Sequence, residues 1–160
     1  MKIHSEQEML ALGEQLGREM AATCSAEHKD LARAARSVSE GHAAAIALPN
    51  IIELIGDVGA GKTTFVRGFA KGLGIKEPIT SPSFTISKTY AFNNSQTLTH
   101  YDFYRLTDPG IMSEDLEDSI NNPNNITIVE WGESVSDILP ENRTIVHIIY
   151  NDDNTREVIL

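Results

Sequence analysis

The sequence predicts an α/β sandwich around a mixed, largely parallel central sheet, and three features predict it. Short apolar runs bounded by turn residues, "IIELI" at 51–55 and "ITIV" at 126–129, read as buried strands. Segments whose apolar residues recur at helical spacing lie between them, which is the alternation of a layered α/β domain. Two further pairs of runs are joined by the turn-rich links "NNSQ" and "NDDN" and read as antiparallel pairs, so the sheet is mixed.

The elements follow in order. "SEQEMLALGEQLGREMA" opens on a capping box, Ser5 and Glu8 in S-x-x-E, and then places Met9, Leu12 and Leu16 on one helical face. The alanine-rich, charge-alternating stretch after it predicts a second helix over Glu27 to Ser37, ended by Gly41. "IIELI" lies between Pro49 and Gly56 and predicts a buried strand. Lys62 to Lys71 predicts a helix with Phe65, Phe69 and Leu73 on one face, and Gly72 and Gly74 as its stop. "SPSFT" reads as a loop leading into a strand over Thr85 to Phe92, paired with Thr97 to Tyr101. "GIMSEDLEDSI" predicts an acidic helix with Met112, Leu116 and Ile120 aligned, and after the strand at 126–129 "RTIVHIIY" and "REVIL" form a closing pair. The expectation is one domain over 1–160, with an extra surface segment at about 23–49 that carries no chemistry.

Between the first buried strand and the helix after it stands "GDVGAGKTT". It fits G-x-x-x-x-G-K-[ST] at Gly56, Gly61, Lys62 and Thr63, and strand–loop–helix is the setting a phosphate-binding P-loop requires. The candidate nucleotide-binding residues are therefore Asp57, Val58, Gly59, Ala60, Gly61, Lys62, Thr63 and Thr64. Backbone N–H groups of Val58 to Thr64 are expected to face phosphate oxygens, helped by the positive end of the helix. Lys62 would reach the β- and γ-phosphates of ATP, and Thr63 would offer its hydroxyl to Mg²⁺.

Such a site also needs a carboxylate at a strand end, and two qualify: Asp102 after "LTHY" and Glu130 after "ITIV". Either would hold Mg²⁺ while the other orients the attacking water, and the residues alone leave both assignments open. With Lys62 they are the candidate catalytic residues. Ser81, Ser83 and Thr85 read equally as a proline-shaped turn and as a loop touching the γ-phosphate. His100 reads as structural, and Arg105 as an ion-pair partner of Asp102 or another acid, or else as a phosphate contact. Arg67, one turn past Lys62, is expected to point away from the loop. Trp131 reads as core or as a lid over the site. "SEDLED" reads as a solvated face, and Cys24 has no role.

Composition narrows the function. With 23 acidic against 13 basic residues the net charge is −10, and no basic run exists, so a direct grip on tRNA or DNA is not expected. A single cysteine cannot form an internal disulfide, which suits a reducing compartment. No apolar run approaches the ~18 residues of a membrane span, and "MKIHSEQEML" lacks the apolar core of a secretory signal. A cytoplasmic protein with no membrane association is expected.

The segments "GDVGAGKTT", "SPSFT", "HYDFYR" and "EW", in this order, resemble the bacterial TsaE (YjeE) family, small ATPases required to make threonylcarbamoyladenosine in tRNA. The resemblance runs from Ser5 to about Val158. It implies a P-loop NTPase-like fold, ATP and Mg²⁺ as cofactors, and docking on the transferase subunit TsaD and its inactive paralogue TsaB rather than on tRNA. Position by position it implies that Lys62 binds phosphate, that Thr63 and Glu130 are the metal-linked pair, and that Asp102 stands near the metal and the attacking water. It also implies that Glu6 and Arg156 contact the nucleotide. The chain departs from the family in the longer link at about 23–49 and in an acidic helix without the usual central glycine. Two alternatives remain at this stage: a P-loop small-molecule kinase, and a nucleotide-binding regulatory module without significant hydrolysis.

Overall fold

The computed structural model describes residues 1–34, 50–93 and 95–160. In chain order the elements are β1 (Lys2–Ile3), α1 (Glu6–Ala34), β2 (Ile51–Ile55), α2 (Lys62–Gly72), β3 (Ser87–Ala91), β4 (Thr97–Asp102), α3 (Met112–Asn121), β5 (Asn125–Glu130), β6 (Thr144–Tyr150) and β7 (Arg156–Ile159), with a 3-10 turn at Gly132–Val135. Among the described residues the strands form one sheet in the order β1-β7-β6-β2-β5-β4-β3. Its four central strands β6, β2, β5 and β4 are mutually parallel, and both edges are antiparallel. This is the predicted α/β sandwich. The added element is β1, whose two residues are too few to show a period and which pairs with β7.

Period-two alternation assigns the faces. Ile126 and Ile128 of β5 join Met9, Leu16, Phe65 and Phe69 in a core under α1 and α2. Val129 faces the other way, with Tyr101, Phe103 and Leu116, under α3. The α3 side is partly polar. Asn125 accepts from the Thr97 and Thr99 hydroxyls at 2.8 and 3.0 Å and donates to Ser119 Oγ at 2.7 Å, while the Tyr101 hydroxyl donates to Asp115 at 2.7 Å.

The N-terminal helix differs from expectation. α1 runs unbroken to Ala34, where two helices were expected, because "AATCSA" contains neither glycine nor proline to stop it. The remainder of the expected second helix, to Ser37, and its stop Gly41 lie outside the described residues, as does most of the segment at about 23–49. The cap holds in altered form. Ser5 Oγ accepts the Glu8 N–H at 3.2 Å, and the Glu8 carboxylate accepts from His4 N–H at 2.8 Å, one residue before the cap.

Gly72 also departs from its expected role. The stop belongs to Gly74, at φ 86, with Gly74 N–H on Lys71 O and Ile75 N–H on Ala70 O, both at 3.0 Å. Gly72 lies inside α2 because α1 and α2 run side by side in the same direction with their backbones in contact. Cβ atoms on Gly13 and Gly17 would collide with the Phe65 and Phe69 carbonyl oxygens, and on Gly68 and Gly72 with those of Leu10 and Glu14. Two glycines four apart on each helix therefore set the interhelical distance.

Gly68→Ala should lower the unfolding free energy by about 1–3 kcal/mol through overpacking, read as a lower urea midpoint at unchanged slope. Burial, and next the hydrogen bond to Asp115, hold the Tyr101 phenol above its usual range. Because the folded value is the higher, this stabilisation is present below the unfolded value of about 10 and is lost as pH rises beyond it. Tyr101→Phe should cost about 1 kcal/mol at neutral pH, and its deficit against the native chain should shrink above about pH 10, as followed by urea titrations across pH.

Candidate functional site

Strand register builds the site. Asp102 stands opposite Glu130, and Glu130 opposite Leu54, so β4, β5 and β2 end level with one another. Both carboxylates fall on the alternation that faces α2, Leu98–His100–Asp102 on one strand and Ile126–Ile128–Glu130 on the next. Beyond β2 the chain turns through Gly59 and Gly61, at φ 81 and 112, and enters α2 at Lys62. Those two angles are the left-handed values that permit the tight path. The first turn of α2 has no acidic residue and no side-chain cap, so nothing in the helix competes for its positive end.

A cavity of about 360 Å³ opens over this edge, lined by Lys62, Thr63 and Thr64 on one side and by Asp102, Glu130, Tyr104 and Trp131 on the other. Val58, Gly59, Gly61, Ser81 and Ser83 also line it. Arg67 does too, contrary to expectation: four residues after Thr63, it shares that residue's helical face, with Nε on Ile79 O at 3.4 Å. A second cavity of about 190 Å³ shares Gly59, Gly61 and Thr64 with the first and adds Glu6, Met9, Ala60 and Arg156. The expected site residues are thus brought together around one loop, except the side chain of Asp57, which is exposed and lines neither cavity.

Lys62 is 5% exposed. Its amine donates to Gly56 O at 2.7 Å and Asp57 O at 3.0 Å and lies 4.1 Å from the Trp131 ring centre. Burial pulls its pKa below the usual lysine range, against the opposing pull of Glu130 and Asp102. Thr63 Oγ1 approaches Glu130 Oε1 at 3.4 Å. Asp102 Oδ2 accepts from Ser81 Oγ at 2.9 Å and from Ser83 Oγ, and its Oδ1 accepts the Tyr104 N–H at 3.0 Å. The "SPSFT" loop is therefore tied to a strand-end carboxylate, while its Phe84 is fully exposed. Thr85 lies outside the cavity and bonds to Ser87 O at 3.2 Å. β3 starts only at Ser87, because Thr85 and Ile86 N–H both bond to Pro82 O in a turn.

One residue stands away from its expected place, and two others stand where one reading of the sequence put them. Arg105 lies over the Tyr104 ring at 4.8 Å instead of pairing with Asp102. Trp131 lines the cavity, in contact with Tyr104 at 5.0 Å between ring centres, and holds a left-handed φ of 60. His100, expected to be structural, is wholly buried with Nε2 on Glu130 Oε1 at 2.9 Å. The available signal was its position two residues before Asp102 on one strand, which puts both on the same face. Chemically, a helix start, a buried ammonium and a threonine hydroxyl opposite two carboxylates fit a polyanion carried with a divalent cation.

The family model described as "Threonylcarbamoyl adenosine biosynthesis protein TsaE" matches residues 3–158. The chain is similar to the tRNA threonylcarbamoyladenosine biosynthesis protein TsaE of Bacillus subtilis, 42% identical over 117 residues and 72% of each chain. It is also similar to that of Treponema pallidum, 37% identical over 109 residues, 68% of this chain and 79% of the other. In fold it is similar to the crystal structure of Bacillus subtilis YdiB, with a TM-score of 0.64 and 27% identity over 99% of this chain and 80% of that one.

Asp102→Ala removes the acceptor that ties Ser81 and Ser83 to the sheet. The Thr85 and Ile86 amides, bonded within that loop, should exchange with solvent about tenfold faster or more, with β5 amides unchanged; hydrogen-exchange mass spectrometry reads both.

Proposed function

The chain belongs to the TsaE family, which serves threonylcarbamoyladenosine biosynthesis in tRNA, and from that premise we propose that it is an ATPase using Mg²⁺ that acts on the TsaB–TsaD transferase pair. The observation that supports this most is the convergence of Lys62, Thr63, Asp102 and Glu130 on one cavity beside the helix start. Backbone N–H groups of Val58 to Thr64 hold phosphate oxygens in this reading. Lys62 exchanges the carbonyls of Gly56 and Asp57 for the β- and γ-phosphates. Thr63 and Glu130 would hold Mg²⁺, whose charge neutralises phosphate oxygens during transfer. Asp102 orients the water that attacks the γ-phosphate. Glu6 and Arg156, beyond Gly59 and Gly61, take the nucleoside end.

The same reading gives the serine loop a part. Ser81 and Ser83 line the cavity and already bond to Asp102, so a γ-phosphate there changes what they bind. Such a loop adopts different positions with ATP and ADP. The net charge of −10 favours docking on a more basic protein surface over tRNA.

Lys62→Ala should fold and lose phosphate release by ~100-fold or more. Glu130→Ala and Asp102→Ala should each reduce turnover far more than they weaken a fluorescent ATP analogue. The native chain should turn over slowly alone, change rate with TsaB–TsaD, and bind the pair more tightly with ATP than with ADP. Normal turnover by a folded Lys62→Ala variant would overturn the reading. ATP binding without phosphate release, with or without the pair, would leave a regulatory module, and a phosphorylated small-molecule product would make it a kinase.

A further inference from the structure

The cavity's first layer leaves one buried polar residue unexplained. His100 sits in the middle of β4, wholly enclosed, on the face it shares with Leu98 and Asp102. Among the described residues its Nδ1 has no hydrogen-bond partner. An unpaired buried polar atom is costly, and an apolar residue such as neighbouring Leu98 would fill the place without that cost. A chain folded for stability alone has no use for a histidine here.

What the ring does make is one bond, Nε2 to Glu130 Oε1 at 2.9 Å. A carboxylate only accepts, so Nε2 carries the proton and donates, whichever state Nδ1 is in. Glu130 ends β5 and has three side-chain torsions to order. The imidazole is held by packing within the sheet face, His100 opposite Ile128, two residues short of Glu130. Oε1 carries both the His100 contact and the 3.4 Å approach of Thr63. That anchors Oε1 and leaves Oε2 committed to neither.

We propose that His100 is a positioning residue that orients the Glu130 carboxylate beside Thr63 for the divalent cation of a bound nucleotide. The proposal rests on the reading of this cavity as a Mg²⁺–ATP site and assigns His100 no contact with nucleotide or metal. Hydrogen-bond partners behind a metal-binding carboxylate typically tune affinity or activity by about 10–100-fold.

The test uses the full chain and Mn²⁺ as the probe, counted by its electron paramagnetic resonance signal with a non-hydrolysable ATP analogue present. His100→Leu should weaken Mn²⁺ binding about 10–100-fold while metal-free analogue affinity stays within about twofold. It should also lower kcat with little change in KM for ATP. His100→Gln, whose amide nitrogen reaches the place of Nε2, should recover most of both. His100→Asn, whose amide falls short, should not. Wild-type Mn²⁺ affinity in a folded His100→Leu variant would overturn the proposal alone. Should that variant fail to fold, equal Mn²⁺ affinities in the Gln and Asn variants would do the same. A native chain that binds no Mn²⁺–nucleotide would overturn both this proposal and the reading beneath it.

Discussion

Three parallel strands ending at one level are the constraint on which the site depends. Neighbouring strands lie about 4.8 Å apart, so residues in register at the ends of β4, β5 and β2 are brought together without any contribution from loops. Asp102 and Glu130 sit opposite each other, and the phosphate-loop segment leaves β2 from the same edge. A slip of one residue between β4 and β5 would turn one carboxylate to the α3 face and leave it among Tyr101, Val129 and Leu116. The apolar residues that precede each acid, Leu98 on β4 and Ile126 and Ile128 on β5, hold that register because they fill the core under α2.

Two buried carboxylates side by side favour a positive charge nearby, and Lys62 lies within the field of both. Its amine is held against backbone carbonyls and the Trp131 ring, although burial works against its charge. The serine hydroxyls on Asp102 and the histidine on Glu130 satisfy the acids further. Each carboxylate thus has its own donors, Asp102 from the "SPSFT" loop and Glu130 from the sheet and the helix start. The two acids share their cation but not their hydrogen-bonding partners, so their environments differ.

The loop from Gly56 to Thr64 was legible because its signal is local: spacing, glycine positions and flanking periodicity all lie within one short stretch. The strand-end acids were legible for a similar reason, since each closes an apolar run. The misplacements came from long-range packing. Gly72 looks like a helix stop in sequence and is a contact with the Glu14 carbonyl, a partner nearly sixty positions away. Arg67 is the exception: it stands four positions after Thr63, on the same helical face, and was judged against Lys62 instead. α1 outran its expected end because continuing a helix needs no signal, whereas stopping one does. His100 stands inside "HYDFYR" with nothing local to give it a role; its meaning depends on Glu130, thirty positions on.

The backbone contact between α1 and α2 has a bearing on how this chain can vary. Because Gly13, Gly17, Gly68 and Gly72 dock the two helices directly, the first helix takes its position from the second. A residue larger than glycine at any of the four would therefore move Glu6 relative to the loop between β2 and α2.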